Sequence, residues 1–161
     1  MLPLVPALGA LAGRMRALAP VTLLLLVVPL TWTIRDDARL TRTDTRVVAR
    51  TWVERHVRSE TRLAVDPSLP PFTRRFGVVK LDLPLPSEDH PDRDRNLARL
   101  RSEDVRYVIV TGAVADRVLA AREDYPAEAA FYDQLHRLKR VFYVGKDARG
   151  LNGPWVAVYK L

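Results

Sequence analysis

VRYVIVT, residues Val105 to Thr111, is the stretch on which the fold turns. Five of its seven residues are β-branched, and a near-continuous run of this kind belongs to a strand buried on both faces of a sheet. Gly112 breaks the run, and Ala113 to Ala121 carries a helical pattern, which makes a strand–turn–helix unit. Pro126 suits the first turn of a further helix to about Leu138, with Ala130, Phe131, Leu135 and Leu138 at helical spacing. RVFYV (Arg140 to Val144) and WVAVY (Trp155 to Tyr159) read as the last two strands, a hairpin across Lys146 to Pro154.

Upstream of that run, Thr43 or Asp44 can cap a helix to about Val57, with Val48, Trp52 and Val53 on its apolar face. RLAVD (Arg62 to Asp66) is a short strand ended by the turn Pro67 to Pro71, and GVVKL (Gly77 to Leu81) is another. A polar, proline-punctuated loop follows from Leu83 to Asp94, then a short helix near Arg95 to Arg101. Helices interspersed with short strands predict an α/β sandwich over residues 43–161, with a mixed, mostly parallel sheet and an antiparallel edge. Those roughly 119 residues suffice for one small domain with a real core.

Before the domain lies ALAPVTLLLLVVPLTWTI, Ala17 to Ile34, which carries no charge. At ~1.5 Å per residue it reaches roughly 27 Å, near the thickness of a hydrocarbon core. Leu23 to Val28 contains only leucine and valine, Trp32 falls where an interfacial anchor would sit, and Arg35, Asp36 and Asp37 close the run. Residues 17–34 are therefore expected to form a transmembrane helix in the lipid bilayer, with 35–42 as a juxtamembrane linker. Arg14 and Arg16 resemble the charged region of a signal peptide, but no small-x-small cleavage site follows Ile34, so an anchor is preferred. Residues 1–16 are either an apolar interfacial arm or the end of a preceding membrane helix, in which case Met1 is internal and the chain is a fragment.

The chain has 26 basic and 19 acidic residues, +7; setting aside Arg14 and Arg16 leaves 24 against 19, +5, with the signs mixed. No aromatic-interleaved basic patch accompanies the excess, so nucleic acid is not an expected partner, whereas anionic lipid headgroups would suffice. The absence of cysteine excludes disulfides and thiol chemistry.

DTRVVARTWVERHV after the apolar run, RLAVD, VRYVIVTGAVADRVL, YPAEAAFYDQLHRL and the closing GPWVAVYKL together resemble one family. They are similar to the C-terminal end of bacterial polytopic glycosyltransferases related to dolichyl-phosphate-mannose–protein mannosyltransferases. The likeness runs from about Asp44 to Leu161, and its motifs are structural. Thr111-Gly112 replaces the family's paired serines, and the Ser87 to Asp94 loop is longer and acidic. The resemblance implies sugar transfer from a polyprenyl-phosphate donor at the extracytoplasmic face of the cell membrane. It also implies catalytic acids in a first large loop that this sequence does not contain. No catalytic, cofactor or metal residue is carried over. The expectation is a non-catalytic membrane span and accessory domain, as a fragment or split subunit acting with the rest of a transferase. The alternative is a free-standing membrane-anchored α/β module that binds a protein partner or small ligand.

Other chemical candidates are few. Glu88, Asp89, His90, Asp92 and Asp94 crowd one loop and offer oxygen and imidazole ligands to a divalent cation, but read first as a solvated acidic loop neutralised by Arg93 and Arg95. His56 and His136 lie beside arginines on expected helices and read as surface residues. Thr111-Gly112 sits where such sheets bind anions, although a tight β–α turn explains one glycine. Lys139, Arg140, Lys146, Arg149 and Lys160 form a basic tail, read as solvated surface or as a contact for a phosphate-bearing lipid.

Overall fold

The computed structural model describes residues 27–34, 41–82, 94–146, 148 and 150–161. The chain divides into two compact units, Met1–Thr41 and Arg42–Leu161. Of the first unit, helix α1 (27–34) is described, solvent-exposed along its length. Thr31 and Thr33 turn their hydroxyls back onto the Val28 and Pro29 carbonyls. Among the described residues no helix is long and apolar enough to cross a membrane. Most of the anticipated span 17–34, the arm 1–16 and residues 35–40 of the linker 35–42 lie outside the described residues.

The second unit begins with β1 (Thr43–Asp44) and α2 (Thr45–His56). Asp44 is the N-cap expected of it, its carboxylate accepting from the Arg46 amide at 2.7 Å. The buried stripe is Thr45, Ala49 and Val53, spaced by four, while Val48 and Trp52 are only half-buried. Then come β2 (Arg62–Val65), β3 (Gly77–Lys80) and α3 (Leu97–Ser102), which Asn96 caps and which starts two residues after Arg95. The decisive run is β4 (Val105–Thr111), followed at once by α4 (Gly112–Ala120). Helix α5 (Pro126–His136) buries Ala129, Phe131, Tyr132 and Leu135; Ala130 is exposed. Strands β5 (Lys139–Val144), β6 (Leu151–Asn152) and β7 (Val156–Lys160) complete the unit.

The main sheet has the order β3-β2-β4-β7-β5, and β1 pairs with β6 apart from it. Strands β3, β2 and β4 are parallel, and β7 runs antiparallel to both β4 and β5. The sheet is thus mixed. Its antiparallel strand is internal, not the edge anticipated, because the β5–β7 hairpin inserts its second strand beside β4 and leaves its first outermost.

Period-2 alternation sends side chains to two cores. Ala64, Val108, Val110, Ala157 and Tyr159 pack under α3, α4 and α5. Leu63, Val65, Ile109, Val156 and Val158 pack under α2 and the 66–76 connection, through Leu69 and Phe76. Adjacent parallel strands β2 and β4 therefore send their connections to opposite faces, and crevices at the carboxyl ends of such strands are where open α/β sheets bind ligands.

Candidate functional site

At that end of the sheet, Asp66 follows the last residue of β2 and is 1% exposed. Its Oδ2 accepts from the Thr111 amide at 2.9 Å. Its Oδ1 faces Arg95 Nη2 at 3.3 Å and the Tyr132 hydroxyl at 3.5 Å. Arg95, 5% exposed, also donates through Nε to the Tyr132 oxygen at 3.3 Å and through Nη1 to the Asp82 carbonyl at 2.6 Å. Four elements thus converge: the ends of β2 and β4, the residue before the α3 cap, and α5. Arg95 is not the solvated neutraliser of an acidic loop that its neighbours suggested. It is the buried counter-ion of Asp66.

Burial pushes the Asp66 carboxyl up to about 6, against the opposing pull of Arg95 and the Thr111 amide. A carboxyl titrating there resembles a catalytic acid or base. Its oxygens, however, are held by protein donors and shut from solvent, so it has no path to a substrate. Thr111 Oγ1 and Ser68 Oγ lie 2.6 Å apart, with no imidazole or amine bonded to either among the described residues to act as base.

The turn after β4 explains its glycine. The Gly112 amide donates to the Trp155 carbonyl at 2.8 Å, and a Cβ on Gly112 would lie 2.5 Å from the Trp155 indole nitrogen. That nitrogen donates to Asp116 Oδ1 at 2.9 Å. Both amides of Thr111-Gly112 are engaged by protein acceptors, and Asp66 itself supplies the anion at this strand end. The residues therefore make a tight β–α turn.

Beside this cluster a cavity of about 290 Å³ is lined by Asp44, Arg46, Val47, Ser68, Leu69 and Pro70. Arg46 grips both Asp44 oxygens, with Nε at 3.0 and 3.1 Å and Nη2 at 2.5 Å, and reaches the Ser68 carbonyl through Nη1 at 3.1 Å. The side-chain bond to Arg46 holds the Asp44 carboxyl below its ordinary range despite partial burial. Thr45 Oγ1 donates to the Pro154 carbonyl at 2.5 Å, and Gly153, at φ +109°, leaves the room that this contact needs. This rim is a set of internally satisfied polar contacts.

A second concavity, about 280 Å³, lies between α2 and β5 and has a different character. Val47, Val48, Trp52 and Phe142 form its walls, and Thr51 and Arg55 contribute polar groups. Trp52 stacks on Phe142 at 4.9 Å and on His56 at 4.8 Å. His56 Nδ1, 2.8 Å from the Trp52 carbonyl, is the donor of that bond. His56 and His136 are both exposed, His136 lying 6.2 Å from the Tyr159 ring.

The remaining sequence candidates separate. Glu88, Asp89, His90, Asp92 and Arg93 lie outside the described residues, and Asp94 pairs with Arg99 at 3.1 Å. Among the described residues no group of three potential ligands gathers around a cation position. The basic tail does not stay together: Lys139 and Lys160 face each other across β5 and β7, Lys146 follows the opposite end of β5, and Arg149 lies outside the described residues. Sequence reasoning missed the Asp66–Arg95–Tyr132 cluster. The available signal was an aspartate closing a buried strand.

No known protein-family model, curated protein or solved structure matches this chain.

Proposed function

We propose that this chain is the non-catalytic, membrane-anchored accessory domain of a polyprenyl-phosphate-sugar-dependent membrane glycosyltransferase. Residues 17–34 are the bilayer span, and the α/β unit lies on the extracytoplasmic side of the cell membrane. The reading rests on the resemblance of residues 44–161 to the C-terminal end of such enzymes. The observation that carries its non-catalytic part is the closure of the polar cluster at the sheet's carboxyl end. Its one strongly perturbed acid, Asp66, is saturated by Thr111, Arg95 and Tyr132. The sugar-transferring acids then belong to the membrane part with which this domain works.

The test is an assay of the purified 161-residue chain in lipid nanodiscs with a radiolabelled polyprenyl-phosphate sugar and mixed acceptors. No transfer is expected, whereas affinity purification from native membranes should bring down a polytopic transferase or reveal the domain as part of one. Turnover by the chain alone would overturn the reading. The second reading, a free-standing anchored module, is favoured by the apolar α2–β5 concavity, whose walls are preformed.

A further inference from the structure

We infer that the groove between α2 and the outer edge of β5 receives an extended, acidic peptide segment, which adds to the sheet as a sixth strand. The inference goes beyond the accessory role and stands whether or not a transferase is the partner.

Three observations meet at this place. The first is the open edge. Strand β5 is outermost in the order β3-β2-β4-β7-β5, and among the described residues no backbone group outside the sheet bonds to it. An edge strand leaves alternate N–H and C=O groups facing outward, and these are the groups that an added strand pairs with.

The second is the apolar wall. A strand laid along this edge turns every second side chain toward α2. There it meets Val47, which is 46% exposed, then Val48 and the Trp52–Phe142 stack that joins helix to strand. The stack fixes the wall before anything binds, which lowers the ordering penalty of association.

The third is charge. Lys139 on β5 and Lys160 on β7 are directly opposite in register, with Arg55 in the last turn of α2. Like charges directly opposite on neighbouring strands repel, and none of the three has a carboxylate partner among the described residues. The α2 carboxyl terminus offsets Arg55 in part, but Lys139 and Lys160 are not helical. Carboxylates of an incoming segment would relieve this repulsion. The register shift between Arg140 and Phe142 places regular pairing at Phe142 to Val144. An occupant paired there must carry its carboxylates about three residues away, ~10 Å along a strand, to reach Lys139.

The probe is a heptapeptide of alternating threonine and valine ended by two glutamates, titrated into the isotopically labelled full chain in detergent micelles. Amide shifts are expected on Phe142 to Val144 and on α2 around Val47 to Trp52. On the wild-type chain, a lysine-ended version should bind about tenfold more weakly. A version N-methylated at alternate amides should lose binding, and V47K, a change at an exposed position, should weaken it. Equal binding of the N-methylated peptide, shifts centred elsewhere, or no shift at millimolar peptide would each overturn the inference.

Discussion

The domain uses the same two side chains, an aspartate and an arginine, in two ways within one end of its sheet. The Asp44–Arg46 pair is partly open to water, with side-chain exposures of 31% and 36%. The Asp66–Arg95 pair has none, at 0% for both. In the open pair the partner wins, and the Asp44 carboxyl falls below its ordinary range. In the closed pair desolvation wins, and Asp66 rises to about 6 although a guanidinium lies 3.3 Å away. The comparison teaches that an ion pair has no fixed electrostatic sign. Water sets it.

Removing one member of the closed pair should have the largest effect. Arg95→Met leaves the Asp66 carboxylate unpaired and the Asp82 carbonyl without its donor. Loss of about 3–5 kcal/mol in chemical denaturation is expected at neutral pH, where the variant must either bury an unpaired carboxylate or take up a proton to discharge it. A loss below about 1 kcal/mol would mean that the pair is not a structural centre.

The two carboxyls should also give opposite pH dependences. Unfolded, each titrates near 4. Folded Asp66 keeps its proton to about 6. The folded state therefore binds more protons between these values, and stability from this group falls as pH rises from about 4 to about 6, on the order of 3 kcal/mol in all. Asp66→Asn should abolish that fall. Asp44 contributes the reverse: stability fully present above about pH 4 and lost as pH drops through its lowered folded value. Denaturation midpoints measured from about pH 3 to pH 7 on the native chain and Asp66→Asn separate the two.

Smaller effects sharpen the open side. Asp44→Ala removes the α2 cap and should destabilise by about 1 kcal/mol, with fraying visible as faster amide exchange at Arg46 and Val47. Arg46→Ala should lower stability by less than about 1 kcal/mol, the usual worth of a solvent-accessible pair. An Arg46 effect as large as that of Arg95 would erase the distinction.

Much of the fold was legible because it is local. The β-branched run from Val105 to Thr111 is β4 to the residue, and the strand after Arg62, the Asp44 cap and the Pro126 start sit where short-range chemistry put them. Strand order is not local. Nothing in the alternation of β7 says that it lies between β4 and β5, so the antiparallel strand was expected at the edge. The closed ion pair was invisible for the same reason: its members are 29 residues apart, and Tyr132 is 66 residues from Asp66. Arg95 was misread because the sequence beside it is acidic, and composition carries no information about which way a side chain turns. The α2–β5 groove was half legible, in a tryptophan one step off the buried stripe. Its other wall, Phe142, comes from a strand 90 residues later.

Arg95 also has an engineering consequence. Through Nη1 it clasps the Asp82 carbonyl at 2.6 Å, and so ties together two positions 13 residues apart in the chain. A variant meant to loosen this end of the sheet is accordingly made at Arg95, which holds the chain just past β3 to the chain just before α3.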